Sequence, residues 1–382
     1  MSTVYFLGAG ASAADGLPLT RGLNYGVADW LRTRNGRAPE LRALYRDLFK
    51  VRDAGLTKAS HKWKEFLHTR DHDILKKADC LPDLIETLSL IDISIDEGHS
   101  FGMSSLRAMR RRVEMDVQFL SKVRRQLTTA IAQSVKDATH RRRSRLTNQL
   151  VDSMGPDDAI ISTNWDVLPE RRLVRAWLQK TKARRLKQAP IKYHCVGERP
   201  VTWRGDDLDG STKDARTLLR LHGGLNWLGC ACCATVYVNV EWSRIVDESK
   251  RPTDFERCHC GAGLSNIIIA PSFVKNYSNV GLRSVWREAQ KRLEHATRWI
   301  FIGYSLPSDD FHVRALLLRA LRSRVAMRPA DRELPEIKVF LDSQSTAAKS
   351  RYEDLFRLSK PEVSLKGFQA WADQQASRRS TS

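Results

Sequence analysis

An α/β fold built on a doubly wound parallel sheet follows from three features of the sequence. Short β-rich runs recur along the chain, and the core ones are nearly all apolar, as strands buried on both faces must be. Helical patterns separate several of these runs, which is the alternation of a parallel sheet with crossover helices. Turns bearing glycine, asparagine or histidine follow directly on strand ends, where open α/β sheets bind ligands.

The six runs are Thr3–Leu7, Asp158–Ser162, Thr217–Leu221, Asn266–Ala270, Arg298–Ile302 and Ile337–Leu341, with a weaker seventh at Ile191–Val196. The helical patterns are Gly22–Arg32, Val285–His295, Phe311–Arg322 and Ala347–Leu358. Between the first run and Asp158 no clear strand occurs. Apolar residues there recur at helical spacing: Leu41, Leu44, Tyr45 and Leu48, then Leu106, Met109, Val113, Val117, Leu120, Val123 and Leu127. This predicts a helical layer over 35–150, inserted into a Rossmann-like domain of 1–34 and 151–345. A small module at 228–264 lies within that domain, and a C-terminal helix with a polar tail, frayed after Trp371, occupies 346–382.

Composition bounds the rest. Hydrophobic residues make up 42% of 382, enough for a sizeable core. No apolar run approaches the roughly 18 residues that span a bilayer. Thr3–Leu7 has no basic region before it and runs into a glycine turn, so it reads as a strand and not a secretory signal; a cytoplasmic protein is expected. Sixty-four Lys and Arg against 44 Asp and Glu leave a charge of +20, which favours anionic partners, nucleic acid among them. The basic runs Arg110-Arg111-Arg112, Arg124-Arg125 and Arg141-Arg142-Arg143 are scattered, so a solvated basic surface accounts for the charge equally well.

Gly8-Ala9-Gly10-Ala11-Ser12 follows the first strand and precedes a helix. Small residues there let backbone N–H groups approach a pyrophosphate. A dehydrogenase fingerprint with Ala13 in last place would also need a second strand ending in an acid about 20 residues on. Here Asn24–Asn35 is helical and carries Arg32-Thr33-Arg34. Ser162-Thr163-Asn164-Trp165-Asp166 ends the next strand; its amide and carboxylate suit a ribose, or alternatively an N-cap pair for a helix over Leu168–Leu178. His222 follows Leu218–Leu221 and precedes Gly223-Gly224, while His194 sits in mid-strand with no glycine. An imidazole titrating near neutrality suits proton transfer. Gly303-Tyr304-Ser305 follows a late strand, and the last strand ends in Asp342. Cys230-x-x-Cys233 and Cys258-x-Cys260 form two close thiol pairs, the pattern of a structural zinc ribbon; Cys232 makes the first pair ambiguous.

In this order the segments resemble the sirtuin (silent information regulator) family, whose members break the nicotinamide–ribose bond of NAD. The resemblance covers the first 25 residues or so and the chain from about 155 onward. It includes the spacing from the glycine turn to Gly16-Leu17-Pro18 and Arg21. It implies catalytic roles for Asn164, His222 and Asp166, with NAD as substrate held by Gly8, Ala9, Gly10, Ser12, Pro18, Arg21, Thr163, Gly303, Tyr304, Ser305 and Asp342. It also places the family's structural zinc at Cys230, Cys233, Cys258 and Cys260. Two departures matter. Leu19-Thr20-Arg21 stands where the family has Asp-Phe-Arg, so the ring that shields the nicotinamide ribose is missing. The Phe-Gly-Glu segment that marks a peptide groove is absent, and Ile267–Phe273 occupies its place. Both favour water as acceptor, as in the bacterial antiphage NADase branch. That branch implies NAD glycohydrolase activity, a homo-oligomer, and a hexameric HerA-type DNA-translocase ATPase as partner. A protein deacylase or ADP-ribosyltransferase, and a catalytically silent nucleotide- or nucleic-acid-binding module, are the alternatives.

Overall fold

The computed structural model describes residues 2–33, 38–75, 81–98, 117–140, 144–202, 204–246, 253, 256–270, 272, 280–308, 310–327, 334–342 and 345–380. Eleven strands are defined among them: β1 (Thr3–Leu7), β2 (Ala159–Ser162), β3 (Ala189–Lys192), β4 (Glu198–Val201), β5 (Ser211–Arg220), β6 (Gly223–Cys230), β7 (Val236–Asn239), β8 (Leu264–Ile268), β9 (Arg298–Ile302), β10 (Glu336–Phe340) and β11 (Glu362–Ser364). The α-helices are α1 (Ala9–Ala14), α2 (Leu23–Thr33), α3 (Pro39–Asp47), α4 (Asp53–Thr69), α5 (Leu84–Asp96), α6 (Val117–His140), α7 (Arg145–Ser153), α8 (Leu168–Thr181), α9 (Val280–His295), α10 (Phe311–Met327), α11 (Thr346–Leu355) and α12 (Gly367–Ser380). No helix among the described residues is long and apolar enough to cross a membrane.

The chain forms two compact units, one of residues 1–16, 142–244 and 277–382, the other of 17–141 and 245–276. The first holds a seven-stranded sheet in the order β11-β10-β9-β1-β2-β5-β3, and every pairing in it is parallel. From β1 the chain builds outward through β2 and β5 on one side, then returns to build β9, β10 and β11 on the other. The order therefore reverses at β1, and the carboxyl ends of strands at such a reversal are where open α/β sheets bind ligands. Alternation along β1 shows that both faces are covered. Tyr5 meets Trp371 of α12 edge to face, with ring centroids 6.1 Å apart. Phe6 points the other way, onto Phe301 and Tyr304, and Phe301 packs on Tyr352 and Phe356.

The same unit holds β4, β7 and β6, paired in that order, with β4–β7 parallel and β6–β7 antiparallel. All eight residues of β6 are buried, including Asn226, whose amide donates to Asn239 O at 2.9 Å. The second unit is mainly helical. In α6, Leu120, Val123, Leu127, Ile131 and Ser134 recur at helical spacing and are buried, and α2, α3 and α5 pack on this helix. Trp63 and Phe66 of α4 complete its core. Leu106, Met109, Val113 and the Arg110 and Arg141 runs fall outside the described residues.

Four sequence expectations need correction. The run at 266–270 is β8, begins at Leu264, and is not a strand of the parallel sheet. The run at 191–196 starts at Ala189 and ends at Lys192, because His194 takes a left-handed backbone (φ +59°) that breaks the strand. The fourth helical pattern ends at Leu355, not Leu358. The tail does not fray at Trp371: α12 continues to Ser380, anchored by buried Phe368 and Trp371.

Glu198 opens β4 with its carboxyl largely withdrawn from water, and burial pushes its pKa up to about 7 despite backbone donors such as Cys195 N at 3.3 Å. A folded-state pKa above the unfolded one means that the native state holds the proton more tightly. The stability it contributes is present at pH 4 and is lost as pH rises towards 7. Between pH 4 and 8 the wild-type unfolding free energy should therefore fall by about 3 kcal/mol more than that of Glu198→Gln. Parallel curves from calorimetry at pH 4 to 8 would contradict this.

Candidate functional site

The carboxyl ends of β1, β2, β5 and β9 lie in one row because the ladders continue past the strands. Thr163 N donates to Leu7 O at 3.1 Å, Leu221 N to Ser162 O at 3.0 Å, and Gly8 N to Ile302 O at 3.0 Å. At the switch point the β1 and β9 turns press together. A Cβ on Gly8 would stand 2.4 Å from Tyr304 Cα, and one on Gly303, whose φ is +61°, would stand 2.0 Å from Ala11 N. Only glycine meets both demands at Gly303. Gly10 N donates to Gly303 O at 2.8 Å and Ala11 N to Gly8 O at 2.9 Å. The turn amides thus serve the contact between the two strand ends, and Ala9 is its exposed residue.

Asn164, half-buried, is held on both sides. Its Nδ2 donates to Gly8 O and to Ser12 Oγ, each at 2.8 Å, and Ser12 Oγ donates to Asp166 Oδ2 at 2.6 Å. This chain of donors sets the amide's orientation. Ser12 spends its proton on Asp166 and must accept from nitrogen, as must the Gly8 carbonyl. Oδ1 of Asn164 is the acceptor this network leaves unused. The other Asp166 oxygen accepts from Leu168 N at 3.0 Å, so Asp166 tethers the start of α8 while holding Ser12.

Beneath this network lies Arg220, the last residue of β5 and wholly buried. Its guanidinium forms a two-pronged ion pair with Glu170 of α8, and also donates to Asn164 O at 2.6 Å and to Asp166 O. Burial works against the charge on Arg220, but Glu170 and Asp166 outweigh it and hold the guanidinium above its usual range. Burial likewise raises the Glu170 carboxyl, and Arg220 opposes that rise. Sequence reading passed over both residues. The available signal was an arginine inside the apolar run Leu218–Leu221, which obliges a buried partner. Nearby Asp15 accepts from Leu146 N (3.0 Å), Thr147 N (2.9 Å) and Thr147 Oγ1 (2.6 Å), tying α1 to the first turn of α7; burial raises its pKa.

His222 is 8% exposed, with its ring 6.5 Å from that of Trp286, whose indole donates to Leu221 O at 3.0 Å. Nε2 lies 3.8 Å from Asp310 Oδ1. Ser305 is exposed, and its carbonyl accepts from Arg351. Asp342 is exposed and its carboxylate accepts from Ser345 Oγ at 3.4 Å. Pro18 and Arg21 belong to the second unit: Pro18 is buried, and Arg21 is exposed in a short 3-10 turn, Thr20–Gly22.

The ligand atoms of Cys230, Cys233, Cys258 and Cys260 all lie within 4.8 Å of one another. A tetrahedral zinc at about 2.3 Å from each sulfur needs sulfurs roughly 3.8 Å apart, so four soft thiolates at this spacing fit a structural zinc. Cys232 is exposed and not one of the four. With every coordination position taken by sulfur, such an ion stabilises the fold and activates nothing.

No protein-family model matches the chain, and no curated protein matches it. Among solved structures, the chain is similar to a Sir2 homologue mutant in complex with 2′-O-acetyl ADP-ribose, at 14% identity and TM-score 0.45 over 100% of this chain and 93% of that one. It is similar to a Sir2 homologue–NAD complex at 14% identity and TM-score 0.41, over 100% of this chain and 91% of that one. It is also similar to Sir2 bound to acetylated peptide at 13% identity and TM-score 0.43, over 100% and 94%.

Two outcomes test this site's construction. Arg220→Met leaves Glu170 buried without its partner and should cost about 3 to 5 kcal/mol in denaturant unfolding; a loss under about 1 kcal/mol would show that the pair is not the anchor described. Elemental analysis should find about one zinc per chain, and chelation should lower the melting temperature, while a metal-free preparation with unchanged melting would remove the zinc assignment.

Proposed function

We propose that this protein is an NAD glycohydrolase, cleaving NAD⁺ with water to ADP-ribose, nicotinamide and a proton. The observation that carries the reading is the row of strand ends at the sheet's switch point. It sets a locked asparagine amide, a glycine-lined turn and a histidine along one edge.

In this reading Asn164 Oδ1 accepts from a ribose hydroxyl and orients C1′, while Asp166 keeps Ser12 and the amide in place. The C1′–N bond breaks and its electron pair leaves with nicotinamide. The oxygen of a water molecule bonds to C1′, and the proton released passes to His222, directly or through a ribose hydroxyl, and then to solvent. Thr163 and the Gly8–Ser12 and Gly303–Ser305 turns hold the dinucleotide, with Pro18, Arg21 and Asp342 as further contacts. Thr20, where the resembled family has phenylalanine, leaves the ribose open to water, and the missing Phe-Gly-Glu segment removes the mark of a peptide acceptor.

The same resemblance supports an effector of bacterial antiphage defence, working in the cytoplasm as a homo-oligomer beside a HerA-type ATPase. The charge of +20 supports an anionic partner such as nucleic acid.

Asn164→Ala and His222→Ala should each lower NAD cleavage by about 10²-fold or more in protein that remains folded by circular dichroism. Chromatography of NAD, ADP-ribose and nicotinamide, with and without acetylated peptide, reads the outcome. Release that requires the peptide would favour the deacylase instead, and absence of any turnover a silent binding module. Wild-type turnover in a folded mutant would remove that residue from the mechanism.

A further inference from the structure

Asp310 joins the Gly303 turn to His222. It immediately precedes α10, and it is 2% exposed. Its Oδ2 accepts from the Tyr304 hydroxyl at 2.8 Å, and its Oδ1 faces His222 Nε2 at 3.8 Å. Both ends of this link are stiff. Asp310 N donates to Pro307 O at 3.2 Å, and Tyr304 O accepts from the Tyr352 hydroxyl at 2.8 Å. The Tyr304 ring lies against Phe6, 4.8 Å between centroids. Trp286 of α9 backs the imidazole, its indole N–H engaged with Leu221 O. Among the described residues, the titratable groups on these elements include Asp310 before α10, which faces His222, Tyr304 after β9, which donates to Asp310, and His312 of α10, whose ring lies 6.4 Å from that of Trp286.

We infer that Asp310 is a positioning residue for His222, a role that rests on the reading of His222 as proton acceptor in the proposed cleavage. A buried carboxylate facing Nε2 favours the tautomer with hydrogen on that nitrogen. Nδ1 then carries the lone pair that takes the proton. When the proton arrives, the carboxylate stabilises the imidazolium, the arrangement by which a third group orients a catalytic base. At 3.8 Å the contact is electrostatic, and a shift of under about 1 Å makes it a hydrogen bond, as catalytic contacts do when substrate closes the site. Tyr304 supplies the second anchor on the carboxylate, so the β9 turn and the proton acceptor move as one piece.

The test is a nitrogen-15 histidine NMR titration of the full-length, zinc-loaded protein, read beside the pH profile of kcat/KM for NAD. Wild-type His222 should be the Nε2–H tautomer when neutral. Asp310→Asn, which keeps an acceptor for Tyr304 but removes the charge, should lower the His222 pKa by about one unit and move the acidic limb of the profile down with it. Asp310→Glu should restore part of both. An Nδ1–H tautomer in the wild type overturns the inference without any variant, even if Asp310→Asn does not fold. So does an unmoved His222 pKa in a folded Asp310→Asn protein. If tautomer and pKa behave as stated but neither protein cleaves NAD, the pairing stands and the glycohydrolase reading fails.

Discussion

Arg220 lies at the carboxyl end of the central sheet with none of its surface in water, and this can persist only because each nitrogen of the guanidinium has an acceptor. Glu170 takes two of its donors, and the carbonyls of Asn164 and Asp166 take others. One side chain thereby binds β5, the segment after β2 and the first turn of α8 into a single block. The Asn164 backbone is held from inside the sheet by Arg220, while its side chain is held from β1 by Gly8 and Ser12. An amide fixed at both ends gives up little entropy when a ligand arrives, which is the advantage of a preorganised site.

A second constraint works at the same edge. The β1 and β9 turns approach so closely that a methyl group on Gly8 or Gly303 would overlap backbone atoms. Amides at Gly8 and Gly10 are spent on Ile302 and Gly303 carbonyls. A glycine motif after a first strand is commonly explained by phosphate alone. Here close packing of two turns requires the glycines whether or not a phosphate is present, and the exposed Ala9 is where the turn meets solvent.

Much of this fold was readable beforehand. Parallel strands buried on both faces are continuous apolar runs, so Thr3–Leu7 and Arg298–Ile302 declared themselves with their boundaries intact. β6 did not, because Gly223, Gly224, Asn226 and Gly229 interrupt its apolar pattern, and its burial comes from neighbours distant in sequence. The polar half of β5 reads as a loop until β3 pairs with it. β11 is three residues at the sheet edge, too short for periodicity to register. Cys230, Cys233, Cys258 and Cys260 were legible as a set because thiol spacing is itself a chelate geometry.

What the sequence by itself determined was the α/β class, the polar residues waiting at strand ends and the four-thiol cluster, since each follows from short-range pattern. The tertiary structure alone decided which of those residues meet. Ser12 and Asp166 are separated by 154 positions and lie 2.6 Å apart, and Glu170 and Arg220 by 50 positions and share an ion pair. Such contacts depend on strand order, which no local pattern encodes. The placement of β2 and β9 on either side of β1 brings separate turns to one edge, and the pairing of β2 with β5 brings the buried arginine to the acceptors that its charge requires.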